Sequence, residues 1–130
     1  MLSSIKKEDF EFEKTRKGHL GKGSFGEVAL ATHRPSGTKV ALKKIEKQSL
    51  KSTKMKQTLL REIQIQKQLN HQYICRLYSS FEDSQTIYLA LEYASVGNLF
   101  FLIRKEKNLT EEFAFKFFIQ ACSGIYYMHK

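Results

Sequence analysis

Along this chain the apolar positions change period from two to nearly four and back, and the changes mark its elements. After a polar stretch over residues 1–8, Phe10 and Phe12 alternate with acids as in a strand. Val28 to Thr32 alternates again, and the turn His33-Arg34-Pro35-Ser36-Gly37-Thr38 supplies the Pro and Gly that set turn dihedrals. Lys39 to Ile45 reads as a third strand. From Ser52 to Asn70 the period lengthens, with Met55, Leu59 and Ile63 every fourth residue, which predicts a helix. Ile74 to Phe81 and Thr86 to Tyr93 return to strand character around the polar turn Glu82-Asp83-Ser84-Gln85. Asn98 is expected to cap a short helix, and Thr110, followed by Glu111 and Glu112, a longer one toward the C-terminus. The predicted order is three strands, a helix, two strands and two helices.

The last helix does not balance within this pattern. From Phe113 to Met128, 12 of 16 residues are apolar or aromatic and are spread around the whole circumference. A helix hydrophobic all round must be covered on several sides, which five strands and one helix already paired with one another do not provide. The expectation is that a further layer belongs over it.

Composition narrows the class without deciding it. With 42% hydrophobic and 27% charged residues and one proline, 130 residues suit one ordinary domain. The formal charge of +9 admits a phosphate-rich partner. Much of the excess lies in Lys43, Lys44, Lys47, Lys51, Lys54 and Lys56, as on a solvated face, and no nucleic-acid motif accompanies it, so neither nucleic acid nor membrane is expected as a partner. No stretch approaches the roughly 20 apolar residues that span a bilayer, and a cytoplasmic or nuclear location is expected. Cys75 and Cys122 lie far apart in apolar surroundings without metal-ligand spacing and are expected to be buried, reduced thiols.

Candidate chemistry centres on Leu20 to Val28, L-G-K-G-S-F-G-E-V, which holds three of the chain's seven glycines. The spacing G-x-G-x-x-G suits a dinucleotide fold, a triphosphate loop or a kinase loop. A dinucleotide site needs a helix after the glycines and an acid about 20 residues on, but a strand and a turn follow and that region holds Val40 to Lys44. In a Walker loop, Gly18 and Gly23 are spaced correctly but Ser24 stands in place of the lysine. What remains is a hairpin folded over phosphates with Phe25 at its tip, or an ordinary glycine-rich hairpin.

Two residues bear on that choice. Lys43 lies in V-A-L-K, where strand alternation puts it on one face with Ala41, opposite Val40 and Leu42; alone, a strand lysine is most often solvated. In the helix, at about 100° per residue, Glu62 falls about 60° and Gln66 about 20° from Leu59, inside the apolar stripe. A carboxylate buried there requires a cation from another element, whereas one at the stripe's edge does not. A lysine held by such a glutamate is placed to neutralise triphosphate oxygens, which phosphoryl transfer requires.

With L-G-K-G-S-F-G-E-V, V-A-L-K and R-E-I at Arg61 to Ile63 together, the sequence resembles the small lobe of a eukaryotic protein kinase over nearly all of residues 9 to 130. The resemblance implies an α+β fold: a five-stranded antiparallel sheet and a regulatory helix over residues 9–93, then a hinge and the first two helices of a large lobe over 94–130. It implies ATP as ligand and Lys43 and Glu62 as catalytic groups. Leu20, Gly21, Lys22, Gly23, Ser24, Phe25 and Gly26 would cover the nucleotide. Leu20, Val28, Ala41 and Leu91 would enclose the adenine, with plain core packing as the alternative for these four. Glu92 and Ala94 would offer backbone groups, and Asn98 would lie near the ribose. E-D-F-E, R-E-I-Q-I-Q, R-L-Y at Arg76 to Tyr78 and the hinge L-E-Y-A are similar to Aurora-type serine/threonine kinases, as is Gln66. That likeness implies an activator protein on the small lobe and a spindle or centrosome location. The motifs H-R-D-x-x-x-x-N, D-F-G and A-P-E do not occur in residues 1–130. The family's base and both magnesium ligands are thereby missing, and the expectation is an ATP-binding part of a kinase, inactive alone. A non-catalytic nucleotide-binding module that competes for a kinase's regulators is the alternative.

Overall fold

The computed structural model describes residues 5–15, 18–22, 26–105 and 110–130. Its centre is an antiparallel sheet of β1 (Phe10–Phe12), β2 (His19–Lys22), β3 (Gly26–His33), β4 (Thr38–Glu46), β5 (Leu77–Glu82) and β6 (Thr86–Glu92). The order is β1-β3-β4-β6-β5, with β2 also on β3. Six strands replace the five expected because the first is interrupted. Phe12 pairs with Ala31 and His19 with Ala29, and between them the Glu13 N–H still donates to the Leu30 carbonyl at 3.0 Å. A side chain at Gly18 would overlap the Glu13 backbone, so the break closes only on a glycine.

Register gives the sheet two different faces, because residues directly opposite on neighbouring strands point the same way. On the far face Phe10, Ala31, Val40, Leu42, Tyr88 and Ala90 form one core, with the Phe81 ring stacked between Phe10 and Tyr88. On the near face Ile45, Leu77 and Leu89 pack with Leu50 and with Ile63 of α1 (Thr53–Gln68). Leu42 on one face and Ile45 on the other are fully buried, so the sheet carries a core on both sides.

Ser52 caps α1 by accepting the Met55 N–H at 3.1 Å, and the helix ends at Gln68, two residues short of the expected Asn70. The Asn70 N–H donates instead to the Tyr127 hydroxyl of α3 (Glu111–Met128) at 3.1 Å. The strand expected from Ile74 begins at Leu77, because the Ile74 N–H closes a turn onto the His71 carbonyl. That turn is where α3 docks. Gly124 is the buried residue of α3, and a Cβ on it would meet Ile74 Cγ1 at 3.4 Å. His71 Nε2 lies 3.4 Å from Ser123 Oγ, and its ring is 5.0 Å from that of Tyr127.

Both helix caps expected near the C-terminus form. Asn98 Oδ1 accepts the Phe101 N–H ahead of α2 (Leu99–Lys105), and Thr110 Oγ1 accepts the Phe113 N–H ahead of α3. Much of the rest of α3 is uncovered: Phe115 is 60% and Phe118 62% exposed. Both cysteines are exposed, contrary to expectation. Cys75 precedes β5, and Cys122 lies about 200° around α3 from the docked Gly124. Among the described residues no helix is long and apolar enough to cross a membrane.

Candidate functional site

The candidate site grows out of one pair of cross-strand rows on the near face. Val28 of β3 pairs with Lys43 of β4, which pairs with Leu89 of β6; Leu30 pairs with Ala41, and Ala41 with Leu91. Alternation then puts Val28, Ala41, Lys43 and Leu91 on one face. All four are half-buried. An apolar patch and an ammonium group therefore share one half-covered surface.

The neighbouring lysine shows how specific that placement is. Lys44 points to the far face, where its ammonium lies 4.5 Å from the centre of the Phe12 ring. Lys43 forms no ion pair among the described residues, whose one salt bridge joins Lys47 to Glu82 at 3.2 Å.

The glycines contribute in two different ways. A Cβ at Gly26 would overlap the Lys44 carbonyl oxygen, so β3 reaches β4 there only without a side chain. At Gly21, opposite Val28, a Cβ would meet nothing within 4 Å among the described residues. Leu20 and Lys22 are exposed beside it. Gly23, Ser24 and Phe25 lie outside the described residues.

Glu62 differs from the sequence expectation. It is exposed and forms no ion pair with Lys43. The buried seam of α1 runs through Ile63, flanked by the half-buried Leu59, so Glu62 stands at the stripe's edge, where water solvates it and no partner is required.

The hinge residues lie apart from the four-residue face. The Glu92 N–H donates to the Arg76 carbonyl at 2.8 Å, and its carboxylate accepts the Arg76 N–H at 3.1 Å. The Ala94 carbonyl accepts from Gly97, whose φ of +93° closes the turn. Glu92 and Ala94 line a groove of about 410 Å³ with Cys75, Leu99 and Phe117. The Cys75 thiol donates to the Glu92 carbonyl at 3.7 Å; desolvation, then the nearby Glu92 charge, pushes its pKa up. Asn98 is committed to its cap.

Sequence reasoning overlooked Tyr127 and Gly124, which dock α3. Their signal, a small residue and a hydroxyl three apart on a helix otherwise rich in large apolar groups, is visible only once the opposing turn is known. Among the described residues no group of three or more His, Cys, Asp or Glu could hold a metal ion.

Comparison with known proteins adds the following. The family described as Protein kinase domain matches residues 14–130. An Aurora kinase of Schizosaccharomyces pombe is 43% identical over 111 residues, covering 85% of this chain and 31% of that protein. NUAK family SNF1-like kinase 1 of Homo sapiens is 39% identical over 124 residues, covering 95% of this chain and 18% of that protein. Calcium-dependent protein kinase 4 of Plasmodium berghei is 44% identical over 111 residues, covering 85% of this chain and 21% of that protein. The chain thus spans less than a third of the length of each, and its likeness is shared among several kinase branches.

Proposed function

Because the chain belongs to the protein kinase domain family, we propose that it is the ATP-holding part of a serine/threonine protein kinase. Residues 9–93 form the small lobe in this reading, and 94–130 the hinge and the start of the large lobe. The observation that carries it is the register that sets Lys43 on the same face as Val28, Ala41 and Leu91. An adenine ring fits against the three apolar side chains, and a lysine one row away supplies positive charge for phosphate oxygens. Leu20 to Gly26 would lie over the nucleotide, and the open space at Gly21 leaves room for a ligand to approach the backbone. Glu92 and Ala94 would face the base and Asn98 the ribose. Glu62 would steady Lys43 once α1 brings the two together.

In a complete kinase, Mg²⁺ and a base for the substrate hydroxyl complete phosphoryl transfer from ATP to protein Ser or Thr. Residues 1–130 supply neither, so the chain alone is expected to bind ATP without transferring its γ-phosphate. Within the family we favour the Aurora branch, on the shared R-E-I-Q-I-Q and L-E-Y-A runs. That branch carries with it an activator protein on the small lobe and a cytoplasmic or nuclear location at spindle or centrosome.

The test is phosphotransfer from γ-labelled ATP by the purified 130-residue protein to a generic basic protein substrate. No labelling above background is expected. Labelling that Lys43→Met abolishes would overturn the assignment of inactivity.

A further inference from the structure

The far face of the sheet holds a cavity of about 190 Å³ that the candidate site does not use. Phe10, Val40 and Ala90 line it and are buried in the far-face core, while Tyr78, Ser36 and Thr38 line it and are exposed, which puts the mouth on their side. An apolar cavity of roughly 150 Å³ admits benzene, so this one has room for a single six-membered ring with a small substituent. Its walls include three rings, those of Phe10, Tyr78 and His33, and the Phe10 and His33 rings lie 5.2 Å apart, tilted by 51°. Aromatic walls of this kind favour an aromatic guest, face on or edge on.

The β3–β4 hairpin adds one polar handle. Ser36 Oγ lies 2.7 Å from His33 Nδ1 and 3.1 Å from Thr38 Oγ1, and it accepts the Thr38 N–H at 3.3 Å. A hydroxyl has one proton to give. Given to Thr38 Oγ1, it leaves Nδ1–H as the donor and Nε2 as an acceptor; given to Nδ1, it leaves the imidazole proton on Nε2. In both arrangements Nε2 has no hydrogen-bond partner among the described residues. Among them no Lys, Arg, Asp or Glu lines the cavity, so a charged guest would enter without a counter-charge. A neutral hydroxyl can give or take a proton, as either tautomer of His33 requires.

We propose that this cavity is a binding site for a small neutral arene bearing one hydroxyl group, the phenol class. The ring lies among Phe10, Tyr78 and Val40, and the hydroxyl bonds His33 Nε2. The site is distinct from the one proposed for ATP, because alternation along β4 sends Val40 into the cavity and Lys43 to the opposite face.

Phenol and toluene, which share a shape and differ in the hydroxyl, are the probes, and amide NMR of the 130-residue protein is the readout. Phenol is expected to shift the Val40, Ser79 and Ala90 amides saturably, with a dissociation constant of about 1 mM or below, as a ligand of its size allows. Excess ATP is expected to leave those shifts in place. His33→Phe keeps a ring beside Phe10 and removes both nitrogens. In that variant toluene binding is expected to stay within about twofold, while phenol weakens about threefold to tenfold, the range one hydrogen bond allows. No saturable shift at these amides below about 20 mM phenol would overturn the proposal. So would displacement of phenol by ATP, or a His33→Phe variant in which the two probes change by the same factor. Failure to bind ATP would count against the proposed function and leave this outcome as it stands.

Discussion

The sheet and α3 are both rich in apolar residues, yet they use them in opposite ways. In β3, β4 and β6 successive apolar residues point to opposite faces, register pairs them across strands, and both faces acquire a core with Leu42 and Ile45 fully buried. In α3 the apolar residues run all round, and the helix buries one glycine against the His71–Ile74 turn while Phe115 and Phe118 stay exposed. Apolar content alone therefore does not make a core. What differs is whether each side chain has a register-fixed neighbour, and the candidate site lies where such neighbours exist.

The largest effect should separate the two regions most sharply. Leu42→Ala empties a fully buried position and is expected to cost about 3–5 kcal/mol, while Phe118→Ala should change stability by less than about 0.5 kcal/mol. Urea unfolding of the two variants reads this directly, and comparable losses would erase the distinction. Gly26→Ala follows, because its methyl group would press on the Lys44 carbonyl oxygen; a loss of about 2 kcal/mol is expected, against almost none for Gly21→Ala.

The attachment of α3 should give less. Tyr127→Phe leaves the Asn70 N–H without its acceptor, and a loss of about 1 kcal/mol is expected, with faster amide exchange confined to the turn and the end of α3. Exchange that also quickens in β4 would mean that the helix and sheet unfold as one unit.

The smallest effect concerns acid. The Asp83 carboxylate accepts the Gln85 N–H at 2.8 Å, the Thr86 N–H at 2.7 Å and the Tyr88 hydroxyl at 3.3 Å, and these bonds, the backbone ones first, lower its pKa. Since the folded value lies below the unfolded one, the contribution is complete above the ordinary carboxylate range and is lost as pH falls through the folded value. Asp83→Asn should flatten the acid side of the stability profile of the sheet. An unchanged profile would remove that turn from the account.

The parts of this structure that were legible in the sequence are those that local pattern controls. Side chains alternate along Val40 to Lys43, so the face shared by Ala41 and Lys43 followed from the strand alone, and the caps at Asn98 and Thr110 followed from residue type and position. The split first strand was not legible, because it depends on how closely Gly18 approaches Glu13. Nor was the setting of Glu62. Helical periodicity fixes its angle relative to Leu59, but not the roll of the whole helix against the sheet, which depends on how Ile63 and Leu59 meet side chains far away in sequence. Cys75 and Cys122 were misjudged for a related reason: apolar neighbours in sequence do not guarantee neighbours in space.

The central claim is that the face bearing Val28, Ala41, Lys43 and Leu91 holds ATP. Titration of the purified 130-residue protein with a fluorescent ATP analogue, displaced by unlabelled ATP, tests it most directly. Saturable, displaceable binding is expected, weakened about 10-fold or more by Lys43→Met through loss of a charge-assisted contact. Binding of equal strength in Lys43→Met, or none that ATP displaces, would contradict it.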